Sequence, residues 1–87
     1  MVVVKPIRLS EHARSRLAYR GVTEDEVIET IRSSSWELAE LGRLECGRDI
    51  SYEDEWNGKF YATKQVRPIF VDEQDEIVVV TVYVYYF

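Results

Sequence analysis

Apolar residues follow two rhythms along this chain. Up to about residue 33 they recur at helical spacing, and beyond about residue 48 they alternate or run on as in strands. Ser10 is placed as an N-cap, with Leu9 as its apolar flank, and Gly21 can take the left-handed conformation that closes a helix. The spacing therefore predicts a first helix over about residues 11–20. Thr23 and Glu26 form the capping box of a second helix, and Val22 and Val27 are placed as a hydrophobic staple around it. Glu24, Asp25 and Glu26 suit its positive start. Val27, Ile28 and Ile31 make its buried stripe, and Ser33-Ser34-Ser35 ends it.

The remainder reads as sheet. Asn57-Gly58 is the strongest hairpin signal, because a type I′ turn needs positive φ at both positions. Its strands are expected over about residues 48–56 and 59–66. Pro68 interrupts the next apolar run and predicts a bulge or a strand start. A second hairpin follows: Ile69-Phe70-Val71, a polar turn from Asp72 to Glu76, and a long strand from Ile77 to Tyr86. That last run is apolar on both sides, as in a central strand. Alternation divides it into a face of Val78, Val80, Val82 and Val84, expected under the helices, and an opposite face that ends in Thr81, Tyr83 and Tyr85 on an open concave side. Residues 36–46 fit either a helical turn or a ragged strand, with strand from about residue 43. The order predicts a single α+β domain over residues 1–87: two N-terminal helices packed on a small antiparallel sheet of about four strands.

Composition narrows the setting. With 87 residues there is room for one modest core. Cys46 is the only cysteine, so no internal disulfide forms and a reducing, cytoplasmic location is expected. The opening MVVVKPI is far short of a secretory leader or a membrane span, so neither is expected. One histidine and one cysteine are too few for a structural zinc site, no glycine-rich phosphate loop is present, and no cofactor is expected. The net charge of −5 disfavours a protein that coats nucleic acid. The charge is unevenly placed, however. Residues 1–22 carry five cations against one carboxylate, while residues 23–41 carry one cation against six carboxylates. A basic patch on an acidic body could hold a few phosphates at one place.

That patch holds the candidate chemistry. At about 100° per residue, His12, Arg16 and Arg20 span about 80° of the first helix, beside the expected buried pair Ala13 and Leu17. The stripe is thus expected to border the core. Metal-independent RNA cleavage needs a base for the 2′-hydroxyl, cations for the pentavalent phosphate and help for the leaving oxygen. His12 is the candidate base, and Arg16 and Arg20 are candidate phosphate holders with planar forks. Lys64 or Arg67 could add charge from the sheet, and Thr81 and Tyr83 could orient ribose or phosphate, with a tyrosine stacking a base. Each has a plainer reading. A histidine at a helix start is commonly a surface residue, and Arg16 and Arg20 suit ion pairs with the acidic second helix. Thr81, Tyr83 and Tyr85 are ordinary strand residues. Cys46 reads as inert packing, and Glu53-Asp54-Glu55 as a solvated hairpin end.

The stretch LSEHARSRLAYRGVTEDEV, followed near the end by IVVVTVY, resembles the small bacterial proteins of domain-of-unknown-function family 4258. That family is grouped with the barnase–EndoU–colicin–RelE superfamily of ribonuclease toxins. The resemblance covers residues 9–33 and roughly 66–83. His12-Ala13, Arg16 and Arg20-Gly21 match the helix motif, and Thr81 and Tyr83 the terminal strand motif. It implies a helical pair on a small antiparallel sheet and a toxin component of a toxin–antitoxin pair. The implied partners are an antitoxin protein and an RNA substrate. Two features depart from the pattern: the chain is acidic, and the acidic segment 34–58 has no counterpart. A catalytically silent module that binds a basic protein partner is the rival expectation. The aromatic end VYVYYF is a candidate edge for strand pairing with an antitoxin or for a homodimer.

Overall fold

A computed structural model describes residues 4–87. The first three residues of MVVVKPI, on which the expectation of no leader partly rests, lie outside the described residues. Strand β1 (Ile7–Leu9) leads into helix α1 (Glu11–Arg20) and helix α2 (Glu24–Ser33). Two short strands, β2 (Glu37–Leu38) and β3 (Leu44–Glu45), flank a 3-10 turn at Glu40–Gly42. The long strands β4 (Arg48–Trp56), β5 (Lys59–Asp72) and β6 (Ile77–Tyr86) follow. The architecture is α+β, as the order of patterns predicts. No described helix is long and apolar enough to cross a membrane.

The local signals act as their chemistry requires. Ser10 accepts a hydrogen bond from the Ala13 N–H, and Gly21 closes α1 at φ +69°. Both bonds of the Thr23–Glu26 capping box are present, and the staple residues Val22 and Val27 are buried. Asn57 and Gly58 both take positive φ in the β4–β5 turn.

The sheet departs from the expected one in number and sense. Among the described residues it has six strands, in the order β1-β6-β5-β3-β2, with β4 also paired to β5. It is mixed, because β1 runs parallel to β6, from Ile7 beside Ile77 to Leu9 beside Val79. Three residues before a helix carry too little pattern to announce a strand, and a parallel partner some seventy residues away leaves no local mark.

Pro68 does not start a strand, because β5 runs through it, but the bulge expected near it is present: the register with β6 shifts between Ile69 and Phe70. Pro68 lies opposite Val82, and the neighbouring pair Arg67–Tyr83 is in step with Thr63 and Phe87, which exchange both backbone bonds. By alternation, the edge of Pro68 that lacks an N–H therefore faces away from β6. On that side β3 has ended at Glu45 and β4 has not begun before Arg48. The missing donor falls in a gap between two partner strands and breaks no ladder bond.

A bulge also corrects the all-valine face. Ile69 pairs with Thr81 but Phe70 pairs with Val79, leaving Val80 as an extra residue. The alternation of β6 reverses there, so the buried side is Ile77 and Val79, then Val82. Val78 and Val80 are only half-buried. Thr81, Tyr83 and Tyr85 fall on the opposite, uncovered side. The core beneath the helices joins Ala13, Val27 and Ile31 to Val66, Phe70, Val79 and Val82, all 1% exposed or less.

Cys46 is fully buried in this core. Burial pushes its thiol up to about 11, with Arg67 opposing and Glu45 adding to the shift. The native protein is expected to leave Cys46 unmodified by an aromatic disulfide reagent at pH 8, with full reaction only in denaturant. Rapid release of thiolate from native protein would contradict this burial.

Candidate functional site

Helix α1 crosses the outer edge of β6. Beyond Val79 that edge has no strand neighbour among the described residues, since β1 ends there. Side chains of α1 and its cap satisfy the carbonyls left open. Ser10 Oγ donates to the Val80 carbonyl and an Arg20 Nη to the Val82 carbonyl. In return, the Tyr86 hydroxyl donates to the Arg20 carbonyl at 2.6 Å. The aromatic C-terminal strand is thus held between β5 and α1, and the long free edge of the sheet belongs to β4. That edge is acidic at Asp49, Glu53, Asp54 and Glu55 and is kinked by a bulge near Glu53, features that discourage strand-to-strand association.

On the uncovered face, Arg67 stands across from Tyr83 and Ile69 across from Thr81. Arg20 reaches round the edge and places its guanidinium carbon 5.2 Å from the centre of the Tyr83 ring. Thr81, Tyr83 and Ile69 line one side of a cavity of about 320 Å³, and Leu41, Arg43 and Glu45 line the other. Leu41 takes φ +60° while 85% exposed, an unusual position for a branched apolar residue. The structure therefore brings four of the candidates together: Arg20, Arg67, Thr81 and Tyr83.

It does not bring in the other three. His12 and Arg16 lie on the exposed side of α1, and none of the three principal cavities is lined by either. Among the described residues, no hydrogen bond reaches the imidazole ring; only its backbone carbonyl is engaged, by Ser15 Oγ. The expectation that the His12 stripe borders the core is corrected here. Ala13 and Leu17 turn inward, and at helical spacing His12 falls on the wet side of them. Arg14, rather than Arg16 or Arg20, makes the ion pair with α2, to Glu24 at 2.9 Å.

Lys64 is on the other face altogether. It is 6% exposed beneath the start of α2, where Nζ contacts Glu26 at 2.9 Å and donates to the Gly21 carbonyl at 3.0 Å. It is a structural cation closed off from any phosphate. Arg67 faces the open side but is paired with Glu45 at 3.2 Å. Glu26 is the acidic partner that sequence reasoning did not find. Burial pushes its carboxyl up, but hydrogen bonds from Lys64 and the Thr23 backbone outweigh this and hold it below the ordinary carboxylate value. Leu41 and Arg43 were also missed. An apolar residue directly before a glycine in an acidic stretch, Leu41-Gly42, was the available signal. No group of three or more potential metal ligands occurs among the described residues.

No protein-family model, no curated protein and no solved structure matches this chain.

Proposed function

We propose that this protein is a RelE-like member of a toxin–antitoxin pair that acts as a catalytically silent binding module, taking a basic protein partner on the bare face of its sheet. The observation that carries this reading is how the cations are used. Lys64 and Arg67 are each closed on a carboxylate, and Arg20 is engaged with a strand carbonyl. A ribonuclease of this type needs cations free to meet a developing phosphate charge and a base held at the 2′-hydroxyl. Here, among the described residues, no group hydrogen-bonds the imidazole to orient it. The same face offers Leu41, Tyr83 and Tyr85, which are 85%, 44% and 50% exposed. Aromatic anchors beside a cavity are what a protein interface uses. The chain carries −5 overall, which favours a basic partner in the cytoplasm.

One observation favours a second reading, RNA cleavage: Arg20 stacks on Tyr83 beside Thr81, with Arg16 and His12 further along the same helix. A single experiment separates the two. The chain is expressed alone and with the product of the adjacent reading frame, scoring growth, RNA integrity and complex formation. No cleavage is expected, and His12→Ala and Arg16→Ala should behave as the parent. Leu41→Glu and Tyr83→Ala should each weaken the complex at least about tenfold. RNA cutting that disappears in His12→Ala would reject the silent module and install the enzyme.

A further inference from the structure

A second cavity, of about 450 Å³, lies where the end of α2 meets β1, on the helix side of the sheet and away from the bare face. Its floor is core surface: Ile31 and Ile77 are 1% and 4% exposed. One wall is the Trp36 indole, whose N–H donates to the Ile31 carbonyl at 2.8 Å and whose ring meets Phe70 edge-on at 5.0 Å. These contacts fix the ring, yet the residue stays 41% exposed. The volume falls within the range of small-molecule sites, roughly 300–1,000 Å³, and the lining is mainly apolar with polar groups at one end.

The polar end is cationic. Lys5 is paired with Asp72 and also donates to the Glu73 carbonyl. Arg32 donates only to the Lys5 carbonyl, at 3.2 Å, and has no carboxylate partner among the described residues. A guanidinium has five N–H donors, so most of its fork is open. The end of α2 would oppose an anion. Its carbonyls are partly satisfied, however: Thr30 accepts from the Ser34 N–H and Ile31 from Trp36. A full charge on Arg32 outweighs what remains.

We infer that this cavity binds a small amphipathic carboxylate, with its chain against Ile31, Trp36 and Ile77 and its head group on Arg32. The inference is independent of the partner-binding reading, because it concerns the opposite face and different residues.

Decanoate, kept below its micelle concentration, is the probe. It is titrated into the full chain while the Trp36 indole N–H and the isoleucine methyls are followed by NMR. Saturable shifts confined to Trp36, Ile31, Ile77 and their neighbours are expected. Arg32 is exposed, so Arg32→Gln should keep the parent spectrum while weakening decanoate at least about tenfold, the loss of one charge-assisted contact. Decylamine should bind more weakly than decanoate. Non-saturating shifts, equal binding of the amine, or an unchanged affinity in Arg32→Gln would overturn the inference.

Discussion

Replacing Lys64 with methionine is expected to lower stability by about 3 kcal/mol, because it breaks a largely buried ion pair and leaves one partner behind. For a chain of this length that corresponds to a melting temperature lower by about 12–24 °C. Methionine keeps the stem of the side chain but removes the ammonium group that meets Glu26 and the Gly21 carbonyl. The Glu26 side chain is only 27% exposed and would face the core without its cation. Adding Glu26→Gln should recover much of the loss. Glutamine can still close the capping box on Thr23, and no charge is then stranded.

The same pair gives a pH test. The Glu26 carboxyl is depressed in the folded protein, so it contributes stability that is present above its unfolded value, about 4.3, and lost as pH falls through the folded value. The difference between parent and Lys64→Met should therefore be largest near pH 7 and should shrink below about pH 4. Denaturant titrations across this range measure it. A difference that stays constant with pH would mean that packing, and not the ion pair, is what the lysine supplies.

Gly21→Ala is expected to be comparably damaging, at about 2–5 kcal/mol. Two costs combine: a left-handed conformation costs alanine roughly 1–2 kcal/mol, and overpacking costs about 1–3 more. The Cβ would press on the Tyr86 hydroxyl and come within 2.7 Å of the Trp56 ring. Those rings cannot simply swing away. Trp56 is stacked on Tyr86 at 5.1 Å, and Tyr52 and Tyr61 pack against the same Tyr86 ring. Gly42 is the natural control: at φ +71° a Cβ there would meet nothing within 4 Å, so alanine carries the backbone cost alone. Thermal unfolding of the two variants side by side decides the matter. Equal losses would show that the aromatic cluster yields freely and that Gly21 is needed only for its backbone.

Those two residues show where local pattern and long-range packing divide the work. Gly21 was readable as a helix end because a left-handed cap is a local demand, set within a few residues of chain. Its second role, making room for Tyr86 and Trp56, depends on residues more than thirty positions away. Lys64 carried no local sign of burial, and its placement on the even-numbered face of β5 drew it under α2. Arg20 stood out as a possible phosphate ligand, yet the open edge of β6 claims its guanidinium.

Local pattern was enough to specify the two capped helices, the Asn57-Gly58 hairpin and the α+β order, because caps, turns and periodicity satisfy backbone hydrogen bonds over short range. The parallel β1, the gap that accommodates Pro68 and the placing of the bulge in β6 at Val80, which exchanges the faces of that strand, were settled only by the folded arrangement. So was the question of which cations are neutralised by carboxylates and which remain exposed. These outcomes depend on which distant backbone edges and charges meet, and a single extra residue in one strand is enough to reverse them.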